Sequence, residues 1–115
     1  MANTFKLVTK AGVTSADVIY TVAGSTTTVV LGIMLGNTTT SQITATVTIE
    51  SDTSNRAGAN NEANQNVELV TNAPIPSGAS LELLAGNKVI METTDLLKLT
   101  ATGATDITLS IMEIT

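Results

Sequence analysis

Ile43, Ala45, Val47 and Ile49 alternate with Thr44, Thr46, Thr48 and Glu50, a period of two that sets one face against a core and the other toward water. The segment is predicted to be a strand. Val29 to Leu35 (VVLGIML) is apolar on both faces, as in a strand central to a sheet or covered on both sides, and Gly32 within it marks a bend or a close approach. Gly36 to Ser41 (GNTTTS) turns the chain between these two segments, which are expected to pair as a hairpin. Ser80 to Ala85 and Lys88 to Glu92 flank Gly86 and Asn87, and a two-residue loop with glycine first suits a type II′ hairpin turn. Its register would set Leu83 opposite Ile90 and Leu84 opposite Val89. Thr105 to Ile114 carries Ile107, Leu109 and Ile111 on one face, then Met112 and Ile114 on the other. A switch of apolar face near a strand end points to a bulge or a second buried contact.

Shorter runs at Thr4 to Thr9, Ala16 to Ala23, Asn66 to Thr71 and Leu96 to Ala101 complete a series of eight or nine strands. They recur about every ten residues with turn chemistry between them, which predicts a single all-β domain over residues 1–115, an antiparallel β-sandwich of jelly-roll or related Greek-key type. No segment reads as a long helix. The 22 threonines agree with this, together with Val and Ile, because branching at Cβ suits a pleated, half-buried surface.

Composition then narrows the chemistry. A chain of 115 residues can bury roughly 65% of its unfolded surface, so a core needs no staples. Cysteine and histidine are both lacking, which removes disulfides, thiolate nucleophiles, Cys/His zinc sites and imidazole-based triads. With Arg56 as the one arginine and a net charge of −5, the chain lacks the basic footprint of nucleic-acid binding. The longest apolar run is well short of the ~20 residues of a membrane span, and MANTFKLVTK has no signal-peptide core. Synthesis in a cytoplasm without export is expected, with no nucleic-acid, membrane or cofactor partner. The ten carboxylates are spread thinly and sit mostly at polar strand positions or in turns; a glycosidase-type pair stays open at this level. Gly86-Asn87-Lys88 lacks the spacing of a phosphate loop. Phe5 and Tyr20 are the only aromatic residues, and their strand positions predict core side chains and not a sugar platform. Only 13% of residues are charged and the mean hydropathy is +0.30, against about 25–35% charge for the surface of a soluble monomer. Part of the surface is expected to meet another protein.

Ser51 to Gln65 (SDTSNRAGANNEANQ) has no Val, Ile, Leu or aromatic residue and is longer than a hairpin needs, so an exposed loop or arm is predicted. Three readings compete: a solvated loop of no consequence, a docking element, and a ligand or cation site. Arg56 is a natural bidentate partner for a neighbouring subunit's carboxylate, and docking is the preferred reading, with Asp52, Asn55, Arg56, Asn60, Asn61 and Glu62 as its candidate residues. The cation reading is weak, because the segment lacks the spacing of a calcium loop.

The stretch GSTTTVVLGIMLGNTTTSQITATVTI, followed by VELVTNAPIPSGASLELLAGNKVIMETTDLLKLT and a final SIMEIT, resembles a family of small virion structural proteins of tailed bacteriophages, notably phages of marine bacteria. The residues that carry the likeness are Leu69, Val70, Ala73 to Pro76, Gly78, Leu81, Gly86, Lys88, Thr94, Asp95, Leu97 to Leu99, and Glu113 to Thr115. The likeness spans about 100 residues of the chain, and the Asn-rich segment looks like an insertion within it. It implies a non-enzymatic virion part, assembled in multiple copies with itself and with other capsid or tail proteins. That part would be a capsid decoration or a neck, tail or baseplate component, and the likeness supplies no catalytic or binding residue. The alternative from another class is a receptor- or glycan-binding module of a phage fibre that uses the Asn-rich segment.

Overall fold

The computed structural model describes residues 2–52 and 64–115. Among them nine strands form: β1 (Asn3–Val13), β2 (Asp17–Thr21), β3 (Thr27–Asn37), β4 (Ile43–Ser51), β5 (Gln65–Ile75), β6 (Ser80–Glu82), β7 (Val89–Met91), β8 (Leu96–Ala101) and β9 (Thr105–Ile114). They make two antiparallel sheets. In the first the order is β1, β9, β3, with β6 and β7 sharing the far side of β3; in the second it is β2, β8, β4, β5. The ladders nest, since β1 pairs with β9, β2 with β8, β3 with β6 and β7, and β4 with β5. The chain is thus a long hairpin rolled on itself, and the β3–β9 and β4–β8 ladders close the roll into sheets. This is the antiparallel β-sandwich that the strand spacing predicts.

The inner faces supply an aliphatic core. Val30, Ile33, Leu35, Ile107, Leu109 and Ile111 of the first sheet meet Ala45, Val47, Leu97 and Leu99 of the second, with Met91, Ile75 and Val22 filling between them. Gly32 sits at a bulge, because the β3–β9 register shifts between Val30 and Gly32 and leaves Leu31 as the extra residue. The bulge lets Val30 and Ile33, three apart, both point inward. The apolar switch on β9 falls on the outer face of the sheet: Ile107, Leu109 and Ile111 are buried in the core, whereas Met112 and Ile114 are half-buried on the opposite face, and the extra residue of the ladder lies on β3 and not on β9.

Two expected hairpins do not form. β3 and β4 lie in different sheets, and GNTTTS is a corner between them. Asn37 makes the corner: its Nδ2 donates to Ser41 O (2.8 Å) and to Ile75 O (2.9 Å), while its Oδ1 accepts from the Thr39 N–H (2.9 Å) and hydroxyl (2.7 Å). β6 and β7 do not pair with each other either. They follow one another along β3, Leu81 opposite Leu35 and Ile90 opposite Val29, because the long edge of β3 needs partners for its backbone groups. The chain between them continues that pairing through Leu83 N–H to Ile33 O (3.0 Å), buries Leu84, and turns with positive φ at Ala85 and Gly86. Phe5 is the third departure: at 71% exposure it lies outside the core.

Gly103, in the turn from β8 to β9, is fixed by close approach. A Cβ there would sit 2.6 Å from Ile43 Cγ2 and 3.4 Å from Thr39 Cγ2, and Ile43 is a buried, branched side chain with no free end to move. Gly103→Ala is expected to lower stability by about 1–3 kcal/mol through overpacking, read as a lower urea midpoint with an unchanged slope. An unaltered midpoint would mean that Ile43 repacks freely.

Candidate assembly surfaces and a polar tie between the sheets

The outer faces of the two sheets differ in kind. On the first, the ladders align Phe5, Met112, Val29 and Ile90 in one row across β1, β9, β3 and β7. Leu7 lies opposite Ser110 in the next row, and Met34 opposite Thr108 in the one after. Phe5, Leu7, Ile90 and Met34 are 71%, 66%, 65% and 47% exposed. A contiguous apolar patch on a sheet face marks an interaction site more often than chance exposure does. Beside it, at the Gly32 bulge, lies a shallow depression of about 250 Å³ lined by Gly32, Met34, Glu82, Thr108 and Ser110.

The second sheet turns a threonine-rich face outward. Thr46 stands opposite Thr100 and Thr48 opposite Lys98, and Lys98 pairs with Glu50 at 2.9 Å. A groove of about 400 Å³ runs here between Thr46, Thr48, Asn66, Glu68, Lys98 and Thr100. Its polar groups largely serve each other: the Asn72 N–H donates to Thr46 Oγ1 (2.9 Å), and the Thr71 hydroxyl donates to Glu68.

Between the sheets, at one end of the core, sits a group that sequence reading did not anticipate. Tyr20 of β2 reaches across to the first sheet, its hydroxyl 2.8 Å from Thr28 Oγ1 and donating to Glu113 Oε2 at 2.5 Å. The other oxygen of Glu113 pairs with Lys6 Nζ at 2.7 Å. Tyr20 is half-buried against the core, as its strand position predicted, with its polar end satisfied. Burial first, then the neighbouring Glu113 carboxylate, push the Tyr20 hydroxyl up to about 12. Lys6, then the Tyr20 hydroxyl, hold Glu113 below the usual carboxylate range. Both shifts run against proton transfer from Tyr20 to Glu113 at neutral pH, since the phenol is a weaker acid and the carboxylate a weaker base than usual. The arrangement ties the sheets. No sequence signal pairs residues 93 apart.

The tie has a signed pH dependence. The raised Tyr20 value contributes stability that is present below the unfolded value near 10 and is lost as pH climbs toward about 12. The lowered Glu113 value contributes stability that is present above its ordinary value of 4.5 and is lost as pH falls below it. Tyr20→Phe is expected to cost roughly 1 kcal/mol at neutral pH, allowing for its partial exposure. It should also remove the alkaline decline between about pH 10 and 12. Urea midpoints against pH test this, and tyrosinate absorbance of the one tyrosine reports its titration directly.

Of the predicted docking residues, Asp52 is half-buried at the end of β4, where its N–H donates to the buried Asp95 Oδ1 (3.2 Å). Asp95 also accepts from the Glu92 N–H through Oδ2 (2.9 Å), so it anchors the base of the segment. Asn55, Arg56, Asn60, Asn61 and Glu62 lie outside the described residues. β4 and β5 pair up to Ser51 opposite Gln65, so the connection is longer than the ladder needs. Among the described residues no three acidic side chains gather as a metal site, and no helix is long and apolar enough to cross a membrane.

No protein-family model matches the chain, and no curated protein matches it in sequence. Its fold is similar to that of a chain from the disulfide-linked pili of Bacillus endospore appendages, with 14% identity and a TM-score of 0.51 over 99% of this chain and 87% of that one. It is also similar to a chain of infectious bursal disease virus, Gx strain, with 10% identity and a TM-score of 0.55. That match covers 98% of this chain but 33% of the viral one, so the present chain spans about a third of its length. At these identities the likeness is one of fold, a sandwich that both a pilus and a virus contain.

Proposed function

We propose that the chain is a non-enzymatic structural subunit, present in many copies on a virion, and that the particle is a tailed bacteriophage on which it serves as a capsid decoration or a neck, tail or baseplate component. The observation that carries this is the apolar outer face of the first sheet, formed on a chain with only 13% charged residues. A free monomer gains nothing by exposing Phe5, Leu7 and Ile90, whereas an assembled subunit buries them. The motif resemblance favours a phage particle, and similar folds in a pilus and a virus show that such sandwiches occur in assemblies.

Quantitative mass spectrometry of purified particles, with immunogold labelling, tests the reading. Many copies per particle at one location are expected; a chain abundant in the lysate but lacking from particles would refute it. Within this proposal residues 53–63 keep their docking role. Replacing them with a short Gly-Ser turn is expected to leave the fold intact, because the flanking ladder is complete and loop shortening costs little, while incorporation drops. A second reading, a glycan-binding module, is favoured by the polar groove on the second sheet. Under it, Thr100→Trp would fill the groove and abolish adsorption to host cells without changing incorporation.

A further inference from the structure

We propose that β1 is an exchangeable strand: two copies of this chain link by swapping it, the Asn3–Val13 strand of each lying on β9 of the other. The inference rests on the multi-copy reading above and adds to it the surface, the partner and the way the two are joined.

β1 is the long strand with least invested in its own body. It is the first of the nine, sits at a sheet edge and pairs its backbone with β9 alone. Nine of its eleven residues are exposed, Val8 is half-buried and only Val13 is buried. It can therefore peel away with little loss of core packing, as weakly packed edges do.

The connection favours release. β1 and β2 lie in different sheets, yet only residues 14–16 join them. The four Cα steps from Val13 to Asp17 reach at most about 14 Å, against ~10 Å between packed sheets, so the corner has little slack. Short hinge loops of this kind invite exchange of the element they hold. Straightened, this one carries the eleven residues of β1 roughly 36 Å beyond the body at ~3.3 Å each, enough to span the ten residues of a neighbour's β9.

The vacated edge selects a second copy. Glu113, half-buried and bonded to Tyr20, takes Lys6 Nζ at 2.7 Å, so a strand laid on β9 must bring a cation there. It must also bring an apolar side chain opposite Leu109, as Val8 does, and a cation near Asp17, which takes Lys10 at 3.1 Å. β1 of another copy meets this pattern residue for residue, because exchange recreates between chains each contact that the closed form makes within one. Lys6 and Lys10 stand opposite the buried Ile111 and Ile107, on the inward side of an edge strand, and inward charges of this kind turn unrelated strands away. Many copies on one particle supply the high effective concentration that exchange needs.

Co-expression of variant pairs, with non-reducing electrophoresis and sedimentation velocity, tests the proposal. Val8 and Leu109 stand opposite each other, about 4.5–5.5 Å apart between Cα atoms and within reach of a disulfide. Leu109 is fully buried, so cysteines at the two positions meet only where β1 lies on β9, and the chain has no cysteine of its own. Chains with Val8→Cys, expressed together with chains with Leu109→Cys and oxidised, are expected to yield a disulfide-linked heterodimer. Charge reversal gives a second test that needs no disulfide. Lys6→Glu or Glu113→Lys alone sets like charges together, whereas a reciprocal dimer of one with the other restores two opposite pairs. It should form about tenfold more tightly than either variant with itself. A Gly-Ser insertion after Ser15 slackens the corner and should lower the yield of both heterodimers. Mixed cysteine chains that stay unlinked, while a chain carrying both substitutions closes the bond internally, overturn the proposal. A charge-reversed mixture that stays monomeric overturns it equally, as do heterodimers indifferent to the insertion. Each of these results leaves the subunit reading to particle composition, which decides it separately.

Discussion

Val47→Asp is expected to unfold the protein at room temperature, whereas Thr46→Asp, one residue away, should change stability by less than about 0.5 kcal/mol. Val47 is fully buried, between Leu99 of β8 and Val70 of β5 in the second sheet. An aspartate there loses the apolar burial of the valine, about 1.5–3 kcal/mol, and must also be neutralised or drag water inward, a further several kcal/mol. The sum is comparable to the whole stability of a small domain, ~5–15 kcal/mol. Thr46 faces the outer groove beside Asn72, where a carboxylate stays hydrated and can still accept the Asn72 N–H. Circular dichroism and urea melts of the two variants decide the matter. Equal losses would mean that the register of β4 is wrong by one residue.

That experiment probes what the sequence displayed most openly. Period-two alternation in Ile43 to Ile49 marked both the strand and its buried side, because one face of β4 is apolar and the other threonine. The other strands were legible in outline, several from one apolar face and β3 from a run apolar on both, while the alternation slips at the Gly32 bulge of β3 and Ile49 is only half-buried toward the end of β4. Pairing was less legible. A short polar connection such as GNTTTS serves a hairpin or a corner equally well, and what separates them is whether its side chains bond locally or, as Asn37 does, to Ile75 of another strand. Gly86 and Asn87 misled similarly, since a positive φ suits a bulged connection as well as a tight turn.

The surface was legible in sum and illegible in place. Low charge announced that something would be covered, but Phe5 and Leu7 alternate with Lys6 as an inward-facing stripe would. Nothing local says that this stripe faces out. On β1 the assignment is made by β9, whose Ile111 and Leu109 fill the core and thereby send Met112, and Phe5 beside it, to the outside. The docking residues inferred from the Asn-rich segment rested on composition alone, and Asp52 is the one that the described residues include.

Asn37 offers the second large effect, at the corner where the first sheet hands the chain to the second. Asn37→Ala is expected to cost about 2–4 kcal/mol, because it removes four hydrogen bonds and strands the buried Ile75 carbonyl, and an orphaned buried group costs more than an average bond contributes. Asn37→Asp is the sharper test, being equal in shape. Its carboxylate can still accept from Thr39, but where Nδ2 donated, two carbonyl oxygens now face a negative charge. That repulsion raises the introduced group's folded value above its unfolded one, near 3.9. The folded state therefore binds the proton more tightly, and the deficit relative to wild type should be small below about pH 4 and grow as pH rises toward neutrality. The Asn37→Ala deficit should stay level over the same range. Urea midpoints of the three proteins at matched pH values separate these courses. Parallel curves for the aspartate and alanine variants would show that the corner is held by its backbone, with the Asn37 amide a bystander.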